Sequence, residues 1–314
     1  MFKFCSHSVT LAAALLLSAV AAQAQTFPSK DIHLVVGYPP GGGPDILTRY
    51  FADQLKTRLS QTVVVENRSG ASGGIAARAV AQAPTDGHTI LIHGGLSQTP
   101  ALFKQPTIDV TKDLVTVATL ASQPLLLVVA ANSPYQTVAD LTAAIKAKGA
   151  KTNYGTTFPG ARVGAALYAL KVGVPATEVQ YRGIGELIGE LNSGALDFAV
   201  VGPAAPRAQL RLLAQTSATR STVLPDVPTF KEAGFDIDLP GWFAAYVPTG
   251  TPKPLVEQLN VLFSDIVKTE SAAKFLAGIA YEPLVMNADQ SHEFHLQDVK
   301  AWFEYAKTAK IEPQ

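Results

Sequence analysis

The residue types most able to do chemistry fall in a few short clusters. Tyr38-Pro39-Pro40-Gly41-Gly42-Gly43-Pro44-Asp45 places three consecutive glycines ahead of a segment with helical periodicity. Glycine lets the backbone approach a ligand, and a helix start offers unpaired N–H groups at the positive end of its dipole. The loop therefore suits an anion. It lacks the Gly-Lys-Ser/Thr of a nucleotide P-loop and the spacing of a dinucleotide fingerprint, so a carboxylate fits better than a polyphosphate. The same composition also serves a plain tight turn. Asp45 complements the dipole of the first helical turn and reads as structural.

Gly70-Ala71-Ser72-Gly73-Gly74 matches the G-x-S-x-G nucleophile elbow, and His93-Gly94-Gly95 resembles an oxyanion-hole tripeptide. In α/β-hydrolases that tripeptide precedes the elbow, whereas here it follows. A glycine-rich start to a helix explains the match more simply, and a secreted hydrolase using Ser72 stands only as an alternative. His292 and His295 at i, i+3 lack a third ligand in a recognisable spacing, so a solvated helix face is expected rather than a metal site. No cofactor motif is present. Arg162 and the run Tyr181-Arg182-Gly183 fall at strand-to-helix transitions, where side chains are expected to face a cleft.

The elements that must position these clusters follow from periodicity. Ile32–Val36 reads as a buried strand, followed by a helix with Ile46, Leu47, Tyr50, Phe51, Leu55 and Leu59 on one face. Strands at 63–65 and 89–93 flank a small-residue helix over 74–83, which implies a parallel sheet packed with helices. After a long apolar segment, Pro124–Ala131, helices over 138–148, 162–172 and 187–192 alternate with strands at 152–154, 179–181 and 198–201. Gly149, Gly173 and Gly194 close those helices. This is a second α/β unit. Helices opened by Pro252 and by about Gln290 complete the chain. Two α/β lobes crossed near 122–129 and 239–247 would enclose a cleft outside the strand ends.

Composition sets the outer bounds. The 314 residues carry 25 basic and 25 acidic side chains, a net charge of zero with no basic run, which argues against nucleic-acid binding. Hydrophobic residues make up 47% and charged residues 16%, enough apolar surface for a sizeable core and too much for general disorder. Lys3, the apolar run Val9–Val20 and Ala22-Gln23-Ala24 read as a secretory signal cleaved after Ala24, being too short for a span of about 20 residues. The single cysteine, Cys5, lies inside it, so thiol chemistry is excluded from the mature chain.

The longer strings "FPSKDIHLVVGYPPGGGPDILTRYFADQL", "VVVENRSGASGGIAARAVAQAPTDGHTILI", "NYGTT", "QYRG" and "STVLPDVPTFKEAGF" closely resemble the tripartite tricarboxylate transporter substrate-binding proteins, the Bug or TctC-like receptors. The resemblance runs over essentially the whole mature chain. It implies a type II-like periplasmic binding protein of two α/β lobes, each a mostly parallel sheet flanked by helices, with the cleft between them. Residues 25–124 and 244–314 would form the first lobe and 125–243 the second. It further implies a monomeric, non-enzymatic receptor that closes on a small carboxylate and delivers it to a membrane permease. Carried over, the first-lobe contacts are Tyr38, Pro39, Pro40, Gly41, Gly42 and Gly43, with Ser97 from the loop after His93. The second-lobe contacts are Thr156, Thr157, Gly160, Ala161, Tyr181, Gly183 and Gly202. The stretch Thr156–Arg162 departs from the usual Gly/Ser-rich pattern by carrying Phe158 and Arg162. One backbone-lined site matches a single carboxylate, so a dicarboxylate, aromatic or short aliphatic, is expected, with Arg162 or Arg182 reading its distal group. Tyr38 and Phe158 flank the cleft, where they could sandwich a flat ring. The alternative is that both arginines face solvent and the ligand is a monocarboxylate or an amino acid. A sensor-kinase input remains an alternative to transport.

Overall fold

The structure, a computed structural model, describes residues 27–239 and 241–313. The expected signal segment lies outside the described residues. The chain opens with β1 (Ile32–Val36), α1 (Gly43–Leu59), β2 (Val63–Asn67), α2 (Gly74–Ala81) and β3 (Thr89–Gly94), followed by the short α3 (Thr99–Leu102) and the long β4 (Leu114–Gln123). Next come β5 (Leu126–Ala130), α4 (Val138–Lys148), β6 (Asn153–Thr156), α5 (Pro159–Val172), β7 (Thr177–Gln180), α6 (Ile184–Ser193), β8 (Phe198–Val201) and β9 (Leu210–Gln215). The remainder is β10 (Gly241–Pro248), α7 (Lys253–Val267), α8 (Glu270–Gly278), the two-residue β11 (Glu282–Pro283) and α9 (Ala288–Thr308).

Two sheets result, in the orders β11-β4-β10-β3-β1-β2 and β7-β6-β8-β5-β9. Each has a parallel nucleus. In the first, β1 pairs in parallel with β2 and β3; in the second, β6 does so with β7 and β8. The strands that carry the chain between sheets run antiparallel, β10 against β3 and β4, and β5 against β8 and β9. Each sheet is thus mixed, because a chain that leaves a sheet at β4 and returns at β10 needs no crossover helix. The passages are short, between Gln123 and Leu126 on the way out and just ahead of Gly241 on the way back.

Each sheet is covered on both faces. The first buries Leu34, Phe51, Leu55, Ile92, Leu259 and Phe263 on one side, and Val35, Leu91, Trp242 and Tyr246 on the other. The second buries Tyr154, Tyr168, Phe198 and Phe230 on one side, and Leu126, Leu187, Leu191 and Leu210 on the other. Two details depart from the sequence boundaries. Residues 241–243, placed with the second lobe, already pair with β4. Trp302, Ala306 and Ala309 at the end of α9, placed with the first, sit in the core of the second sheet. A helix of 21 residues is about 30 Å long, sufficient to lie across both units. His295 on that helix is fully buried, which corrects the expected solvated face; its ring stands edge-on to Trp242 and Tyr246. Burial lowers its pKa to about 4.

Candidate functional site

The loops after β1, β2 and β3 gather on one edge of the first sheet. Gly37 and Gly73 both abut the His93 ring; a Cβ on Gly73 would lie 1.7 Å from His93 Nε2, and its φ of +88° is itself glycine territory. The Ser72 loop is held in an unusual backbone, with Gly70, Ala71, Ser72 and Gly73 all at positive φ. Two of these are not glycine, each at a cost of about 1–2 kcal/mol. Tyr38 donates its hydroxyl to the Gly94 carbonyl at 2.5 Å and packs on His93 at 4.8 Å. Burial raises its pKa, so the phenol stays a neutral donor.

The triple-glycine loop is fastened by Asp45. Its carboxylate accepts from the Gly41 N–H at 2.8 Å, Arg49 Nε at 2.9 Å and Asn67 Nδ2 at 2.8 Å, while Asn67 also holds the Tyr38 carbonyl. Burial would raise the Asp45 pKa, but hydrogen bonds from Arg49, Gly41 and Asn67 outweigh it and hold the group below its ordinary value. One expected donor, the Gly41 N–H, is thereby committed within the loop. Helix α1 opens at Gly42 with no side-chain cap, leaving its first turn open. Gly43 faces the second lobe: a Cβ there would meet Tyr281 Oη at 2.7 Å and Ala204 Cβ at 3.2 Å.

A cavity of about 110 Å³ lies between the lobes, lined by Ser72, Thr156, Thr157, Phe158, Pro159, Arg162, Gln180 and Tyr181. Arg162 is its single charged lining residue. Arg162 donates from Nε to Glu178 Oε2 at 2.9 Å, and its Nη1 is buried without a hydrogen-bond partner. Glu178 Oε1 accepts from Thr156 Oγ1 at 2.9 Å and Gln180 Nε2 at 3.2 Å. The guanidinium is therefore both neutralised and left with a spare donor. Burial, with Glu190 and Glu186 adding to it, raises the Tyr181 pKa.

The predicted residues divide. Thr156, Thr157, Arg162 and Tyr181 line the cavity together. Gly160 stands against Gln98 of the first lobe, 3.1 Å from Nε2 to the position of an added Cβ. Ala161 is fully buried in the second core. Helices α5 and α6 open at Phe158 and Gly183 without side-chain caps. Gly202 begins the turn that brings Ala204 to Gly43. Tyr38, Pro39, Pro40, Gly41 and Gly42 do not line the cavity, so the aromatic sandwich is not formed: Tyr38 spends its face on His93 and its hydroxyl on Gly94. Arg182 is exposed and outside the cavity.

Ser97 requires a correction. It is fully buried, and its hydroxyl donates to Asp298 Oδ2, an oxygen that also accepts from Trp242 Nε1 at 2.7 Å and Trp302 Nε1 at 3.2 Å. The side chain is thus turned away from the cleft into a network joining β10, α9 and the loop after β3. Burial raises the Asp298 pKa from its ordinary value, partly offset by the hydrogen bonds from Ser97, Trp242 and Trp302.

Sequence reasoning missed Glu178 and Gln180, and considered Ser72 only as a nucleophile. Glu178 and Gln180 alternate along β7 and so share a face, but that signal is shared by most strands. Both ring nitrogens of His93 lack a hydrogen-bond partner, so Ser72 is not hydrogen-bonded to the histidine of the His93-Gly94-Gly95 tripeptide.

The family model described as "Tripartite tricarboxylate transporter family receptor" matches residues 47–309. A UPF0065 protein in the gbd 5′ region of Cupriavidus necator is 34% identical over 299 residues, covering 92% of this chain and 90% of the relative. The solved structure of R. palustris Rpa4515 with adipate superposes with a TM-score of 0.85 at 30% identity, over 92% of this chain and all of that one. Periplasmic binding protein BugD superposes with a TM-score of 0.81 at 25% identity, over 92% of this chain and all of that one. This chain belongs to the tripartite tricarboxylate transporter receptor family, a family of solute-binding receptors.

Proposed function

We propose that this protein is a periplasmic receptor that captures a small organic carboxylate between its lobes and delivers it to the membrane subunits of a tripartite carboxylate transporter. The observation that carries the reading is the cavity between lobes with Arg162 on its wall, a residue whose Nη1 is buried without a hydrogen-bond partner. A buried donor without a partner costs on the order of 1–3 kcal/mol, which an oxygen-bearing ligand relieves. Adipate in a relative with 30% identity over nearly the whole chain supports the carboxylate class. In this reading uncapped helix starts at α1, α5 and α6 hold the ligand's carboxylate, Arg162 meets its far end, and Arg182 has no part in the site.

Periplasmic residence is supported by the signal-like segment around Val9–Val20, and among the described residues no helix is long and apolar enough to cross a membrane. The test is a thermal-shift screen over mono-, di- and tricarboxylates. A ligand at about 100 times its Kd adds about 2.7 kcal/mol, a plain rise in Tm. Silence across the whole set defeats the receptor reading. Small-angle scattering should show a smaller radius of gyration with the active acid than without it. Co-purification with permease subunits, rather than with a histidine kinase ectodomain, decides between transport and sensing.

A further inference from the structure

We propose that Glu178 makes the far end of the cavity electrically neutral, so that the preferred ligand is a short monocarboxylate bearing an uncharged oxygen acceptor, such as a hydroxy or oxo acid, and not a dicarboxylate. This rests on the receptor reading above and narrows its substrate class.

Three observations converge. Arg162 is the one charged side chain on the cavity wall, and Glu178, directly behind it, cancels that charge at 2.9 Å. Both members of the pair are mostly buried, with side-chain exposures of 17% and 18%, so water screens their fields only weakly. Glu178 is itself tied to Thr156 and Gln180, which leaves it no freedom to swing away when a ligand arrives. A second carboxylate brought to Arg162 would be attracted by one charge and repelled by another a few ångströms behind it. Closing the lobes would then bury an anion without a net countercharge, which is costly. An uncharged hydroxyl or carbonyl oxygen, by contrast, accepts from the spare Nη1 without meeting that repulsion.

Size agrees. A cavity of about 110 Å³ is smaller than the roughly 150 Å³ space that holds benzene in an engineered protein core. By that comparison a short acid fits it better than a flat ring.

The experiment is calorimetry with 3-hydroxybutyrate and succinate, matched in carbon number, on the wild-type chain and on Glu178→Gln. The substitution keeps the shape and an acceptor oxygen while removing the charge. The expected wild-type result is 3-hydroxybutyrate bound at least tenfold more tightly than succinate. In Glu178→Gln that ratio should fall at least tenfold, chiefly through tighter succinate. Succinate equal to or tighter than 3-hydroxybutyrate in the wild type overturns the proposal while leaving the carboxylate receptor standing. So does a ratio unmoved by Glu178→Gln in a variant whose circular dichroism and Tm match the wild type. The wild-type ratio decides alone if the variant does not fold. If neither acid nor any member of the wider screen binds, the receptor reading falls, and this proposal with it.

Discussion

The two walls of the cleft are made differently. The first-lobe wall is a wall of backbone: positive φ recurs at Gly41, Gly70, Ala71, Ser72, Gly73 and Gly95, and no charged side chain reaches the cavity from it. Its one buried charge in that region, Asp45, is turned inward to fasten its own loop. The second-lobe wall has no positive φ between Asn153 and Val172 or between Thr177 and Ser193, and its loops simply open helices. What it contributes is side chains, with Arg162, Glu178, Thr156 and Gln180 in one hydrogen-bonded group. A strained backbone fixes N–H groups that any carboxylate can use, whereas side chains can be exchanged without disturbing the fold. Under the receptor reading the first wall holds the feature that all ligands share and the second selects among them.

If so, damage to the first wall should appear as lost stability and damage to the second as lost affinity. Gly73→Ala is the strongest test. Its Cβ would overlap the His93 ring at a positive φ, so overpacking and backbone strain together should cost about 3–5 kcal/mol. Urea denaturation reads this directly, and a variant as stable as wild type would mean that the loop is not built as described. Arg162→Lys keeps a cation against the mostly buried Glu178 and so most of the stability. Loss of the planar guanidinium with its spare Nη1 donor should weaken the best carboxylate by about 2–3 kcal/mol, or roughly 30- to 150-fold. An unchanged Kd by calorimetry would remove the second wall from the site.

Smaller effects test what joins and steadies the walls. Asp298→Ala strips three donors, Ser97, Trp242 and Trp302, of their shared acceptor. About 2 kcal/mol of stability should go with it; no change in the denaturation midpoint would show the network to be incidental. The smallest effect concerns acid. Because the folded pKa of Asp45 lies below its ordinary value of 3.8, its contribution is present above that value and is lost as pH falls through the folded pKa. The stability gap between wild type and Asp45→Asn should therefore narrow between pH 5 and the folded pKa below 3.8. A gap constant with pH would sever the loop from this carboxylate.

Much of the architecture was legible because local signals were strong. Ile32–Val36 and Phe198–Val201 are short apolar runs bounded by turns, and they are strands at those residues. Helix α4 over Val138–Lys148 is marked by a capping box at Thr137 and Asp140 and closes at Gly149. Harder to read were β4, β9 and β10. Strands β4 and β10 are buried along most of their length, so neither shows the alternation that marks a strand with one wet face. The buried His295 was misjudged for a related reason: on α9 the face bearing Ser291 and His295 meets the first sheet, and polar residues there look solvated until the packing is known.

The sequence by itself determined the two α/β units, the glycine-rich helix starts at their edges and the family. These are matters of periodicity, composition and short-range pattern, each settled within a few residues of the chain. Only the tertiary structure decided which arginine matters and what it meets. The parallel register of β6 and β7 sets Tyr154 beside Glu178 and Thr156 beside Gln180, and that brings a carboxylate 16 positions away onto Arg162 while Arg182 is left exposed. Likewise Ser97 meets Asp298 across 201 positions. Charge pairing inside a protein depends on distance and burial, and separation along the chain fixes neither.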